Sequence, residues 1–244
     1  MDDRPTILHD PIMTSLVPTY DLYGERLTDP LADPVHHELI RDRSERHGWT
    51  IRPHRHDGLA HLFLFRSPGV DISAGGLDLR TAEPAALLVP PRLVHGFRFA
   101  DDISGDVVTF PLDRQSSALR ARLQAHAVAL LRGPSDSPYF DGIMSTVDQV
   151  ARLFHGADPG RRALLASLAE TLILYALAGQ TAERQADLGD PRASALCALV
   201  ETAYPEPLSI GDCARALDLS ATHLTRLSRR HLGVAPGELI LRRR

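Results

Sequence analysis

The chain has 244 residues, of which 43% are hydrophobic and 24% are charged. This balance is that of a globular protein and excludes an intrinsically disordered chain, while a total of two cysteines excludes a disulfide-rich scaffold. The formal net charge of −4 is unevenly distributed, because seven arginines and four acidic residues give segment 205–244 a charge of +3 and leave −7 on the rest. Such asymmetry indicates a nucleic-acid-binding end on an acidic body, although an arginine cluster at a chain end also arises by chance.

The N-terminus predicts no targeting signal. The opening Met-Asp-Asp-Arg-Pro lacks the basic region and apolar stretch of a signal peptide, and no apolar run is long enough to cross a bilayer. Both cysteines, Cys197 and Cys213, lie in segments with helical character, which fits a reducing compartment. We therefore expect a cytoplasmic protein without a membrane partner.

Residues 1–35 are predicted to form an arm that covers the next domain. Prolines exclude a long helix here, and they occur at Pro5, Pro11, Pro18, Pro30 and Pro34. The residues expected to anchor this arm are Tyr20, Leu22 and Tyr23.

Residues 36–112 contain short apolar runs separated by turn signals such as Asp57-Gly58, Gly75-Gly76 and Pro90-Pro91. The predicted strands are His36–Arg41, Thr50–Pro53, Leu59–Phe65, Val70–Ser73, Leu77–Arg80, Ala86–Val89, His95–Phe99 and Asp106–Phe110. Many short strands with close turns predict a β-sandwich or a β-barrel.

Residues 113–180 are predicted to be helical. The expected helices are Ser117–Leu131, Tyr139–Phe154 and a third that starts after Pro159 and ends at Ala178. A wide apolar stripe on the third helix must be buried against its own domain or against a partner chain. We expect this region to form a homodimer, and the polar segment 181–192 to be a linker.

Three further helices are predicted after the linker, over Ala193–Ala203, Ile210–Ala216 and Ala221–His231. Ser209 and Ser220 stand at the N-cap positions of the last two helices. Two capped helices joined by a tight turn are what a helix-turn-helix requires, and a helical hairpin packed inside a larger domain is the alternative.

Segment 208–233 resembles the first helix-turn-helix of the AraC/XylS family of bacterial transcription regulators. The matching residues are Ala214, Leu217, Leu219, Ser220, His223, Leu224, Arg226, Leu227 and Gly233, followed by Pro236. The resemblance implies a DNA partner. It also implies that Thr222, Thr225 and Arg226 face base edges, while Arg229 and Arg230 contact phosphates.

The segment departs from the family pattern at three places. Asp218 replaces a turn glycine, and Ser228 replaces an aromatic core residue, which predicts looser packing. In the family, a linker helix and a second helix-turn-helix follow the first. Here 236–244 resembles the start of the linker helix, so the resemblance predicts a C-terminally truncated module over 193–244 that lacks its second half.

The segments around His54-Arg55-His56 and 90–95 resemble the first and second motifs of cupin barrels, with His61 in place of a glutamate. Residues two apart on a strand share a face, so the first two histidines are expected to point together into the barrel. The histidines that could hold zinc, iron, manganese or nickel are His54, His56, His61 and His95. In the alternative, they line a metal-free ligand pocket.

Segments 20–25, 52–56 and 89–99 resemble a subgroup of AraC-family activators that sense 4-hydroxybenzoate or related aromatic acids. An aromatic carboxylate requires a cationic clamp and an apolar slot. The candidate clamps are Arg52, Arg55, Arg92 and Arg98, and the candidates for the slot are Tyr23, Trp49, Phe63 and Phe97.

The sequence thus predicts an α+β fold, with a cupin-like β-barrel followed by helices and a partial all-α helix-turn-helix domain. The predicted function is that of a ligand-responsive transcription regulator and not of an enzyme. The alternative is a metal-dependent cupin enzyme, either a dioxygenase or an isomerase. The predicted effector-binding residues are Tyr23, Trp49, Arg52, His54, His56, His61, Arg92, His95 and Phe97.

Overall fold

The computed structural model describes residue 19 and residues 33–75, 77–126, 128–133, 138–179, 192–202, 208–232 and 234–243. Within these residues the predicted α+β fold class is confirmed, because antiparallel sheets precede a series of helices. Tyr23, almost all of the predicted arm and most of the predicted linker lie outside the described residues.

Two antiparallel sheets form the barrel, with strand orders β1-β8-β3-β6-β9 and β2-β7-β4-β5. The strands are β1 (His36–Leu39), β2 (Thr50–His54), β3 (Leu59–Phe65), β4 (Asp71–Ala74), β5 (Leu77–Arg80), β6 (Ala85–Val89), β7 (His95–Arg98), β8 (Gly105–Pro111) and β9 (Ala129–Arg132). All eight predicted strands are present. The first is shorter than predicted, because Ile40 begins helix α1 (Ile40–Ser44).

Both faces of the central strand β3 are buried. Phe63 and Phe65 pack between the two sheets, whereas Leu62 and Leu64 on the opposite face pack in the core beneath the helices. A strand that is covered on both sides is apolar at nearly every position, which explains the continuous apolar run in the sequence.

The helices that follow the barrel are α2 (Ser117–Ala125), α3 (Tyr139–Phe154) and α4 (Arg161–Ala178). The prediction of a helix over Ser117–Leu131 is wrong, because the helix ends at Ala125 and Ala129–Arg132 pairs with β6. A short apolar run does not distinguish a buried helix from a strand, and pairing with the open edge of β6 decides between them here. The sheet therefore includes residues beyond 112.

The C-terminal helices are α5 (Arg192–Thr202), α6 (Ile210–Ala216), α7 (Ala221–Leu232) and α8 (Pro236–Arg243). Their buried side chains, including Leu196, Leu224 and Leu232, belong to the same hydrophobic cluster as the barrel interior. In the described segments, no helix combines the length and apolar character that crossing a bilayer requires.

Candidate functional site

An irregularity in β2 directs the histidines into the barrel. Ile51 pairs with Phe97 and His54 pairs with His95, so three residues of β2 advance against two of β7. The extra residue is a β-bulge, and it changes the strict alternation of faces. Ile51 and His54 are therefore both buried although they are three residues apart, and Arg52 between them is exposed.

Four buried imidazoles meet inside the barrel. One nitrogen from each of His54, His56 and His95 lies within 4.8 Å of the other two. The ring centroid of His61, on β3, lies 4.5 Å from the ring centroid of His56 and 5.8 Å from that of His95. The structure thus brings together the four histidines that the sequence predicted, with His61 beside a group of three.

Backbone carbonyls fix the tautomers of two of these rings. Nδ1–H of His54 donates to the carbonyl oxygen of Arg52 at 2.9 Å, and Nδ1–H of His95 donates to that of Leu93 at 3.0 Å. Burial lowers the pKa of His54 to about 2 and that of His95 to about 3. Both rings are therefore neutral at pH 7, and the Nε2 atom of each carries a lone pair.

These residues fit a metal ion. Among the described residues, the buried Nε2 atoms of His95 and His61 have no hydrogen-bond partner. Neutral imidazoles oriented by carbonyls are the ligands that zinc, iron, manganese and nickel use in proteins. His54, His56 and His95 would hold the ion, and the bound ion would supply a Lewis acid.

The cavity around the histidines is small and has an apolar wall. Its free volume is about 20 Å³, which is room for roughly one water molecule. Phe63 and Phe97 form part of the wall, with ring centroids 4.5 Å apart. An aromatic acid would enter only if these side chains moved apart.

None of the four predicted arginine clamps lines this cavity. Arg52 and Arg98 are exposed and Arg92 is half-buried. Arg55 is buried, but its side chain bonds to Thr19 and to the end of α7. The β2 bulge accounts for Arg52, because it turns that side chain away from the face that carries His54.

Two further residues differ from expectation. Trp49 is half-buried and packs against the core without lining the cavity, whereas the predicted Phe63 and Phe97 do line it. The arginine at the cavity is Arg43 of α1, whose guanidinium is paired with Glu38 at 2.6 Å. The sequence offered no signal for this role, because Arg43 stands in a charged stretch that resembles an ordinary surface.

At the other end of the chain, α6 and α7 are joined by a short turn. Ser209 caps α6 in a reciprocal capping box with Asp212, and Ser220 Oγ accepts from the backbone N–H of His223 at 3.2 Å. Asp218 adopts the left-handed conformation at the turn, with φ of 53°. The predicted caps are thus present, and the aspartate that replaces the turn glycine adopts the backbone conformation that glycine favours.

The outer face of α7 carries the residues that were predicted to contact DNA. Thr222, Arg226, Arg229 and Arg230 are exposed, and Thr225 is half-buried with its hydroxyl donating to Ala221 O. On the inner face, the fully buried Ser228 donates to Val234 O at 2.7 Å. This hydrogen bond satisfies the serine where the family pattern has an aromatic side chain.

The fold and the site define a class of protein: an α+β chain in which a histidine-lined barrel is joined to capped helices with an arginine-bearing surface. No protein-family model and no curated protein matches the chain.

Solved structures with a similar chain path include the AraC-like transcriptional activator CuxR. It has 16% sequence identity and a TM-score of 0.36 over 86% of this chain and 72% of that chain. ToxT from Vibrio cholerae O395 has 11% identity and a TM-score of 0.28 over 85% of this chain and 97% of that chain. ToxT bound to (E)-4-(8-methylnaphthalen-1-yl)but-3-enoic acid has 9% identity and a TM-score of 0.30 over 86% and 100%. This likeness is too low to assign a function.

Proposed function

We propose that this protein is a ligand-responsive transcription regulator of AraC type. In this proposal, α6 and α7 form a DNA-binding helix-turn-helix, and the barrel binds the effector. The observation that carries the proposal is the exposed, arginine-rich face of α7 on a helix that is capped and buried on its other side. A solvated helix face alone would not need the capped partner helix and the left-handed turn that fix its orientation.

DNA binding is tested by fluorescence anisotropy with a duplex selected from a randomised library and with a duplex of arbitrary sequence. We expect Arg226→Ala to weaken binding to the selected duplex by about 1–3 kcal/mol, because an arginine bidentate to guanine reads sequence. Arg229→Gln should weaken both duplexes alike and reduce the salt dependence by about one phosphate contact. Arg46→Gln, an exposed arginine of the barrel, is the control. Absence of salt-sensitive binding to either duplex would contradict the proposal.

We further propose an aromatic acid, such as 4-hydroxybenzoate, as the effector. The phenylalanine wall and the nearby Arg43 supply apolar and cationic groups, which supports a carboxylate of this kind. Because the cavity is small, binding must open the barrel, and a bound ligand at 100 times its Kd should stabilise the fold by roughly 2.7 kcal/mol. A thermal denaturation series with 4-hydroxybenzoate and with cyclohexanecarboxylate measures this, and equal or absent shifts would exclude the aromatic acid.

The three-histidine group favours one second candidate, a metal-dependent enzyme of the cupin type. Metal analysis of the purified protein combined with turnover assays separates the two. A stoichiometric ion with turnover of an aromatic substrate supports the enzyme, whereas a stoichiometric ion that changes DNA affinity without turnover supports a metal-holding regulator.

A further inference from the structure

The C-terminal end of α7 is hydrogen-bonded to three loops of the barrel. Arg55 Nη1 donates to the carbonyl oxygen of Leu232 at 2.6 Å, and His231 Nδ1–H donates to that of Gly75 at 2.6 Å. The backbone N–H of Val94 donates to His231 O at 3.2 Å. The three bonds attach the end of α7 to three separate segments of the barrel. Together they fix both the position and the direction of this helix end.

Arg55 is the buried centre of this contact, with an exposed fraction of 1%. A buried guanidinium is costly unless acceptors surround it. Its Nε atom donates to Thr19 Oγ1 at 3.1 Å and lies 3.9 Å from a carboxylate oxygen of Asp57. The carbonyl at the end of α7 adds the partial negative charge of a helix C-terminus. The helix is therefore one of the groups that make the burial of Arg55 favourable.

The loops that hold α7 are also the loops that carry the histidines. Arg55 stands between His54 and His56, and Val94 directly precedes His95. The two loops are joined to each other, because the backbone N–H of Arg92 donates to His56 O at 2.7 Å. The groups that bind the helix are thus one residue away from the imidazoles along the chain.

We propose that the histidine group and the end of α7 form one coupled unit, in which occupancy of the histidine site determines how firmly the C-terminal helices are docked on the barrel. Arg55 is the positioning residue of this unit. The regulatory meaning of the docking rests on the proposed function, but the docking itself does not. Arg226 and Arg229 remain exposed in the docked arrangement, so docking sets the orientation of the helix and does not cover its outer face.

The test uses Co²⁺ as the probe, because its visible absorption reports coordination by imidazoles. Hydrogen exchange of α7 is measured by mass spectrometry with and without Co²⁺. In the wild-type chain, Co²⁺ should fix the loops and slow exchange in the last turn of α7 by about fivefold or more, the scale of an ordinary coupling free energy. In Arg55→Gln, Co²⁺ should still bind, but the effect on α7 should be lost.

Arg52→Gln is the matched control, because it removes the same charge three residues away on the exposed side of β2; it should keep the full effect of Co²⁺ on α7. If Arg55→Gln does not fold, His231→Gln removes the side-chain bond to Gly75 and should also weaken the effect. Co²⁺ binding without slower exchange in wild-type α7, or no Co²⁺ binding at all, overturns the coupling. Neither outcome affects the proposed function, which fails only if the anisotropy assay shows no DNA binding.

Discussion

At the scale of single residues, the barrel interior is defined by imidazoles that remain neutral when folded. Burial lowers the pKa of His54 to about 2 and that of His95 to about 3, and it also lowers the pKa of His61. An unfolded histidine titrates near pH 6.5, so between these values the unfolded chain binds protons that the folded chain does not. Protonation of these histidines in the unfolded chain therefore has little effect on the free energy of unfolding well above pH 6.5. It lowers that free energy progressively as the pH falls toward 3.

We therefore expect the free energy of unfolding of the metal-free protein to fall between pH 6.5 and pH 5.5 by on the order of 1 kcal/mol for each of these histidines. Urea unfolding in the presence of EDTA at several pH values measures this slope. His54→Gln should reduce the slope by one histidine's share, whereas Gln149→Asn, which changes an exposed side chain without an ionisable group, should not alter it. Identical slopes in the wild type and His54→Gln would show that His54 is not held neutral.

Gly96 lies opposite the β2 bulge and leaves room for it. A Cβ atom at this position would lie 2.9 Å from the carbonyl oxygen of Ile51 and 3.0 Å from the nitrogen of Pro53. Because both are backbone atoms, they cannot rotate away, and Gly96→Ala should destabilise the fold by about 1–3 kcal/mol. Gly58→Ala, where a Cβ meets nothing within 4 Å, is the control in the same thermal denaturation series. Equal melting temperatures for the two variants would contradict the role of Gly96.

The bulge also explains which part of the site was predictable. The spacing of His54, His56 and His95 follows a recognisable pattern, and the structure brings their nitrogens together. The arginines were not predictable, because a bulge changes which face Arg52 occupies without leaving a sequence signal. Arg43 reaches the cavity from helix α1, and the position of that helix against the barrel is a feature of tertiary structure alone.

At the scale of elements, the turn between α6 and α7 depends on the backbone of Asp218. This exposed residue adopts a φ of 53°, a conformation that costs most L-residues roughly 1–2 kcal/mol. Asp218→Ala should therefore lower the free energy of unfolding by about 1 kcal/mol relative to Asp218→Gly, as measured by urea unfolding. At Ala216, an exposed position in the last turn of α6, replacement by glycine should destabilise instead. If the same residue, alanine or glycine, gives the higher free energy of unfolding at both positions, the left-handed turn is contradicted.

Most helices and strands could be predicted, because the spacing of apolar residues and the positions of turn-forming residues indicate the same elements in this chain. Helix α3 begins at Tyr139 and ends at Phe154 as predicted, since its apolar face is regular and polar and turn-forming residues stand at its borders. Strand β9 could not be predicted, because Ala129–Arg132 is too short to show a period. Its identity depends on the free edge of β6, which is about 40 residues earlier in the chain.

At the scale of the whole molecule, the barrel is covered on two different sides. Helices α3 and α4 cover the outer face of the larger sheet through residues such as Val147 and Leu172. The C-terminal helices instead join the cluster of the barrel interior through Leu224 and Leu232. The second contact could not be predicted, because its hydrogen bonds use carbonyls of Gly75 and Leu232 that any residue would supply.

The outward side of α4 supports the homodimer that the sequence predicted, and we propose that two chains associate through it. Leu164 and Leu174 are 52% and 39% exposed, although α4 buries Leu165, Leu172 and Ile173 against the barrel side. A two-fold interface would bury both leucines of each chain. Sedimentation equilibrium should therefore give twice the mass of one chain, and Leu164→Glu combined with Leu174→Glu should shift the protein to the monomer.

Leu39→Glu is the matched control for this prediction. Leu39 is 46% exposed, but it belongs to β1 and not to α4, so the same change of an exposed leucine should leave the dimer intact. A monomeric wild-type chain would exclude the interface. If Leu39→Glu dissociates the dimer and the α4 variant does not, the interface lies at the edge of the larger sheet instead. Among the described strands, β1 at this edge pairs only with β8. An edge strand can pair with a strand of a second chain, so the two outcomes distinguish helix pairing from sheet extension as the means of association.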